Sequence, residues 1–126
     1  AFAACEGSAQ WLWSASSDVV NRSTQALVAG RNDQARGLAE SAIAHRLSAA
    51  DQRIAAHNLC LVNVAGGATA ETDTNCQAAK AGAERAALLC GASLSKARQV
   101  SGADVSTVIA GNIAAADRRG TLAEAK

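Results

Sequence analysis

Six residues of this chain have side chains suited to chemistry at neutral pH: Cys5, Cys60, Cys76 and Cys90, with His45 and His57. Cys60 and Cys76 stand 16 positions apart around Gly66-Gly67. Such a set can form disulfides, hold a metal or supply a nucleophile. A structural zinc site usually draws its four ligands from closely spaced pairs. His57 and Cys60 lie three apart on one helix and, with Cys76 and His45, would total four. The chain has no Cys-x-x-Cys pair, however, and no second histidine at ligand spacing. A catalytic cysteine with His57 as base needs an open, electropositive pocket, for which small-residue helices leave little room. Gly66-Gly67 is followed by no Gly-Lys-Ser and so matches no phosphate loop. The acidic residues form no pair suited to acid–base work. Asp51-x-Arg53, Glu84-Arg85 and Asp117-Arg118-Arg119 read as solvated charge. We therefore expect no catalytic residues, no metal and no cofactor, with His57 partly exposed on its helix and His45 in a helix's last turn, where a cation suits the dipole.

The elements that must position these residues read as helices. The 126 residues are 49% apolar, with alanine dominant, and contain no proline, methionine or tyrosine. Alanine is the best helix former and permits close helix packing. The length suits one domain, 1–126. A formal net charge of +1 lacks the basic footprint of a nucleic-acid binder. No apolar run approaches the roughly 18 residues of a membrane span. The opening Ala-Phe-Ala has the small-x-small form of a signal cleavage site, which points to a periplasmic or secreted protein. An even number of cysteines in an exported chain predicts two disulfides.

Gly30, Gly66 and Gly102 recur at intervals of 36 residues, a spacing characteristic of stacked helical hairpins. Three hairpins are expected, over 17–47, 48–82 and 83–119, between an N-terminal segment, 1–16, and a frayed tail, 120–126. Ser16 or Ser17 caps the first helix, which turns Val19, Val20, Ser23, Ala26 and Leu27 to one side. Asn32 or Asp33 caps the second, with Ala35, Leu38, Ala39, Ala42, Ile43 and Leu47 inward. Ser48-x-x-Asp51 resembles a capping box and opens a helix that buries Ile54, Ala55, Leu59 and Val62. The threonine-rich stretch after Gly67 makes a weak helix, in which Cys76 and Ala79 carry the packing. The segment from Glu84 to Val100 reads as a helix, and a last helix carries Val105, Val108, Ile109 and Ile113. Trp11 and Trp13, two apart, cannot share a helix face; one is expected to cover the open end of the first hairpin.

This pattern resembles the tetratricopeptide repeat (TPR), in the form of a small exported bacterial protein. Gly30 stands at the turn, Ala35 five residues later and Ala42 seven after that, like the small positions where the family's two helices touch. Asn58-Leu59-Cys60 resembles a first helix, with Cys76 on its partner. The likeness covers roughly 18–110, without the family's usual aromatic positions or closing prolines. It implies an all-α, TPR-like α-solenoid that is not an enzyme and binds a protein or peptide in a concave groove.

On helices flanking Gly66-Gly67, Cys60 and Cys76 come level, as a disulfide requires. The favoured pairing is Cys60–Cys76 with Cys5–Cys90; Cys76–Cys90 with Cys5–Cys60 is the rival, because Cys76 and Cys90 flank Gly82 in the same way. Partner contacts are expected at Asn21, Arg53, Asn58 and Asn63, since amides on a first-helix face can bond an extended backbone. Arg31, Arg36 and Arg46 are weighed as a groove for an acidic peptide, against plain solvation. The leading function is a disulfide-stapled interaction or scaffold module. The alternative is a structural subunit that self-associates end to end into an oligomer or filament.

Overall fold

The computed structural model describes residues 11–82, 85–101 and 103–125. Its elements, in chain order, are β1 (Trp11–Trp13), α1 (Asp18–Val28), α2 (Asn32–Ile43), α3 (Ala49–Ala65), α4 (Thr74–Lys80), β2 (Ala87–Gly91), a single 3-10 turn (Leu94–Lys96), β3 (Arg98–Ser101) and α5 (Ala103–Ala125). The protein is mostly helical and carries a small antiparallel sheet in the order β1-β2-β3.

The first four helices follow from local signals. Ser17 caps α1 by accepting from the Val20 amide. The chain then reverses at Gly30, whose φ of 78° suits glycine, and the Arg31 amide closes the turn on Ala26 O at 2.8 Å. Arg31, not Asn32 or Asp33, is the N-cap of α2, and it makes no side-chain capping bond. Ala35, Ala39 and Ala42 are the buried residues of α2; Ile43, expected inside, is 44% exposed. Ser48 caps α3 through the Asp51 amide. α4 begins at Asp73, whose side chain accepts from the Cys76 amide, and it buries only Cys76 and Ala79. α1 packs on α2, α2 on α3 and α3 on α4.

α3 is the centre of the molecule. Of its 17 residues, 11 are buried, because α1, α2, α4 and α5 all pack against it. A helix enclosed on every side is apolar most of the way round, and Ile54-Ala55-Ala56 and Leu59 to Val62 supply that surface.

The expected third hairpin is corrected by the sheet. Residues 87–91 and 98–101 form β2 and β3, paired with Leu88 opposite Val100 and Cys90 opposite Arg98. β2 also pairs with β1, with Leu12 opposite Cys90 and Trp13 opposite Leu89. Leu88, Cys90 and Val100 are buried with Leu12, so alternate strand positions reach the core. Trp13 is 2% exposed, and its indole N–H donates to Gly91 O at 3.2 Å. α5 packs on α3, α4 and β3, burying Val105, Val108, Ile109 and Ile113. It continues through the expected tail as far as Ala125. Of the N-terminal segment, 1–10 lie outside the described residues.

Candidate functional site

α3 carries three polar arrangements and one covalent bond. The bond joins Cys60 to Cys76, with their Cα atoms 4.6 Å apart. It ties the centre of the fold to the seven-residue α4 and leaves neither sulfur to act as a ligand or nucleophile. Cys90 is also disulfide-bonded; Cys5, its favoured partner from the sequence, lies outside the described residues. No described cysteine is free.

The first arrangement is a buried chain of hydrogen bonds around His57, which is enclosed rather than partly exposed. Asn58 Nδ2 donates to Ser23 Oγ at 3.2 Å and Thr24 Oγ1 at 3.0 Å. Its Oδ1 is thereby left to accept, from His57 Nδ1 at 3.1 Å. On the far side of the ring, Asn112 Nδ2 approaches Nε2 at 3.1 Å and can only donate. The two amides therefore fix the imidazole as the neutral Nδ1–H tautomer. Thr24 Oγ1 passes the chain to Leu12 O at 3.0 Å and Ser23 Oγ to Ala35 O at 3.1 Å. Five elements, β1, α1, α2, α3 and α5, are joined in this way. Burial lowers the His57 pKa from 6.5 to about 4, against the opposing effect of its hydrogen bond to Asn58. A ring that is 0% exposed meets no substrate, so the arrangement is a structural crosslink.

The second arrangement surrounds Arg53. A groove of ≈ 530 Å³ between α3 and α4 is lined by Ile43, Gln52, Arg53, Ala56, Asn75 and Ala78, among others. A second hollow of ≈ 370 Å³ continues past Arg53 toward Gly82 and Ala87. Small side chains on both helices keep this channel open. The guanidinium makes one hydrogen bond, Nη1 to Ala78 O at 2.9 Å, and its buried Nε has no partner. Among the described residues no carboxylate pairs with it.

The third arrangement is at Asp51. Instead of lying in solvent, Asp51 is 6% exposed and lines a pocket of ≈ 210 Å³ with Trp13, Ser16, Ser48, Ile54 and Leu89. Only half of the expected capping box forms. Ser48 Oγ accepts from the Asp51 amide at 3.1 Å, but the carboxylate turns to Ser16 Oγ, 3.5 Å from Oδ2.

The four partner residues expected from sequence separate here. Asn21 is buried and clasps Ser14, its Oδ1 accepting from the backbone amide at 2.7 Å and its Nδ2 donating to the carbonyl at 3.0 Å. Asn58 is 0% exposed. Neither can meet a partner's backbone, because the core uses the amide groups that made them attractive. Asn63 is half-buried and acts as a strut: Oδ1 accepts from Arg36 Nη1 at 2.8 Å, and Nδ2 donates to the α4 cap Asp73 at 3.0 Å. Only Arg53 retains free hydrogen-bonding capacity beside open space. Sequence reasoning missed Asp51, His57 and Asn112 as buried polar groups; for His57 the signal was a run from Ile54 to Val64 too apolar to have a broad solvent face.

Among the described residues no three histidine, cysteine or acidic side chains are grouped to hold a metal, and no helix is long and apolar enough to cross a membrane. Compared with protein-family models, curated proteins and solved structures, the chain matches none.

Proposed function

We propose that this chain is an exported, disulfide-stapled binding module without enzymatic activity. In this reading α1–α4 form two TPR-like hairpins, and an extended peptide bearing a carboxylate lies in the groove between α3 and α4. The observation that carries the reading is Arg53. A guanidinium presents five donors, and this one makes a single hydrogen bond beside an unfilled groove. Nη2 and the second proton of Nη1 have no protein partner among the described residues, and a carboxylate in the groove would accept from both as a bidentate pair. The small residues Ala49, Ala56, Ala78 and Ala81 around it suit a backbone more than a bulky ligand. The oxidised cysteines support an export destination.

The test is selection from a displayed random-peptide library, followed by anisotropy titration of the enriched peptides. Enrichment of acidic peptides whose binding weakens at least tenfold in Arg53→Ala, and recovers in part in Arg53→Lys, supports the reading. No enriched family, or binding indifferent to Arg53, removes it.

A further inference from the structure

The Asp51 pocket lies two positions from Arg53, more than half a helical turn around α3, and poses the opposite electrostatic problem. A carboxylate taken out of water is costly unless it is paired and hydrogen-bonded. Asp51 is more than nine-tenths buried, and its one side-chain bond is to Ser16 Oγ at 3.5 Å, the outer limit for such a bond. No cationic side chain is paired with it among the described residues. Its place in the first turn of α3 gives it some support from the helix dipole. The first-turn role that would use its oxygens, accepting from the Ser48 amide in a capping box, is not taken up.

The remaining walls define what would complete the charge. Trp13 has spent its indole N–H on Gly91 O and, 2% exposed, offers a narrow strip of ring carbon; Leu89 and Ala87 add aliphatic surface. Ser16 and Ser48 place hydroxyls near the carboxylate. Ser14 and Gln99 also line the pocket, but Ser14 Oγ already accepts from the Ser16 and Ser17 amides; Asp51 is the one acidic residue in the lining, and its single charge balances a monovalent cation and only half of a divalent one. A volume of ≈ 210 Å³ is below the roughly 300–1,000 Å³ of a drug-sized site and suits one alkyl chain. A primary ammonium fits: it presents three donors and its stem packs on apolar carbon.

We propose that this pocket binds a primary alkylammonium group, with Asp51 as counter-ion, Ser16 as a hydrogen-bond partner and Ala87, Leu89 and Trp13 beside the alkyl chain. The inference does not depend on the Arg53 reading.

The experiment is a titration of the ¹⁵N-labelled protein at constant ionic strength, followed by amide and indole chemical shifts. The probes are n-butylammonium chloride, an N-acetyl-lysine amide and, as neutral isostere, n-butanol. Saturable shifts centred on Trp13, Ser16 and Asp51 with either amine, at least tenfold weaker with n-butanol, support the site. Tighter binding of the free amine assigns it to small amines; tighter binding of the lysine derivative assigns it to a partner's side chain. Asp51→Asn should weaken amine binding at least tenfold. If that variant does not fold, the comparison of amine with alcohol on the unaltered protein decides alone. Absence of saturable shifts with both amines, or equal shifts with n-butanol, overturns the proposal.

Discussion

Lowering the pH from 7 toward 4 is expected to destabilise this protein through His57. The ring is buried in its neutral form, and its pKa falls from 6.5 to about 4 on folding. Between those values the unfolded chain binds a proton that the folded chain refuses. The histidine's contribution is therefore complete above pH 6.5 and is lost as the pH falls toward 4. One proton gives a slope of at most about 1.4 kcal/mol per pH unit, and the whole interval amounts to about 3 kcal/mol. The neighbours that fix the ring, Asn58 and Asn112, do not titrate. Urea unfolding at a series of pH values should show the midpoint falling by about 1–2 M between pH 6.5 and 4.5, for the m-values usual in small proteins. His57→Gln keeps a donor and an acceptor but no titrating group, so its midpoint should be lower and nearly flat over the same range. A flat profile in the unaltered protein, or the same slope in His57→Gln, would refute the reasoning.

Two further perturbations follow from the packing. Replacing Cys60 and Cys76 together with alanine opens a loop of 16 residues, for which the chain-entropy model gives about 3 kcal/mol. At about 4 °C per kcal/mol for a chain of this size, thermal unfolding followed by circular dichroism should shift by about 12 °C. Hydrogen exchange should quicken first in α4, which buries only Cys76 and Ala79; unchanged protection there would show that α4 does not need the staple. Gly91→Ala would place a Cβ 2.9 Å from Lys96 O and 3.0 Å from Ala97 Cα. Both are backbone atoms of the turn joining β2 to β3, so a loss of about 1–3 kcal/mol in chemical denaturation is expected; a neutral result would mean that the turn shifts freely.

The elements with local signals were legible in the sequence. Ser17, Ser48 and the glycines at 30, 67 and 82 mark helix ends whose chemistry lies within a few residues. The Cys60–Cys76 bond follows from the turn between them. The β1–β2 half of the sheet was hidden because its pairing is not local: Trp13 meets Leu89, and its indole meets Gly91, 78 residues away. A four-residue run such as Ala87-Leu88-Leu89-Cys90 has no period that separates a strand from a helix. Trp11-Leu12-Trp13 carried the clue, since residues two apart share a strand face. The polar residues of α3 were misplaced for a related reason. Asp51, His57 and Asn58 look solvated in sequence, and only their distant partners at Ser16, Asn112 and Thr24 show that they are enclosed.

The most direct test of the binding reading is to map where an acidic peptide from the library selection docks, by amide chemical-shift changes on the ¹⁵N-labelled protein. The account predicts changes concentrated at Arg53, Asn75, Ala78 and Ala81, and their loss in Arg53→Ala. Saturable changes confined to another face of the molecule, with α3 and α4 undisturbed, would contradict it.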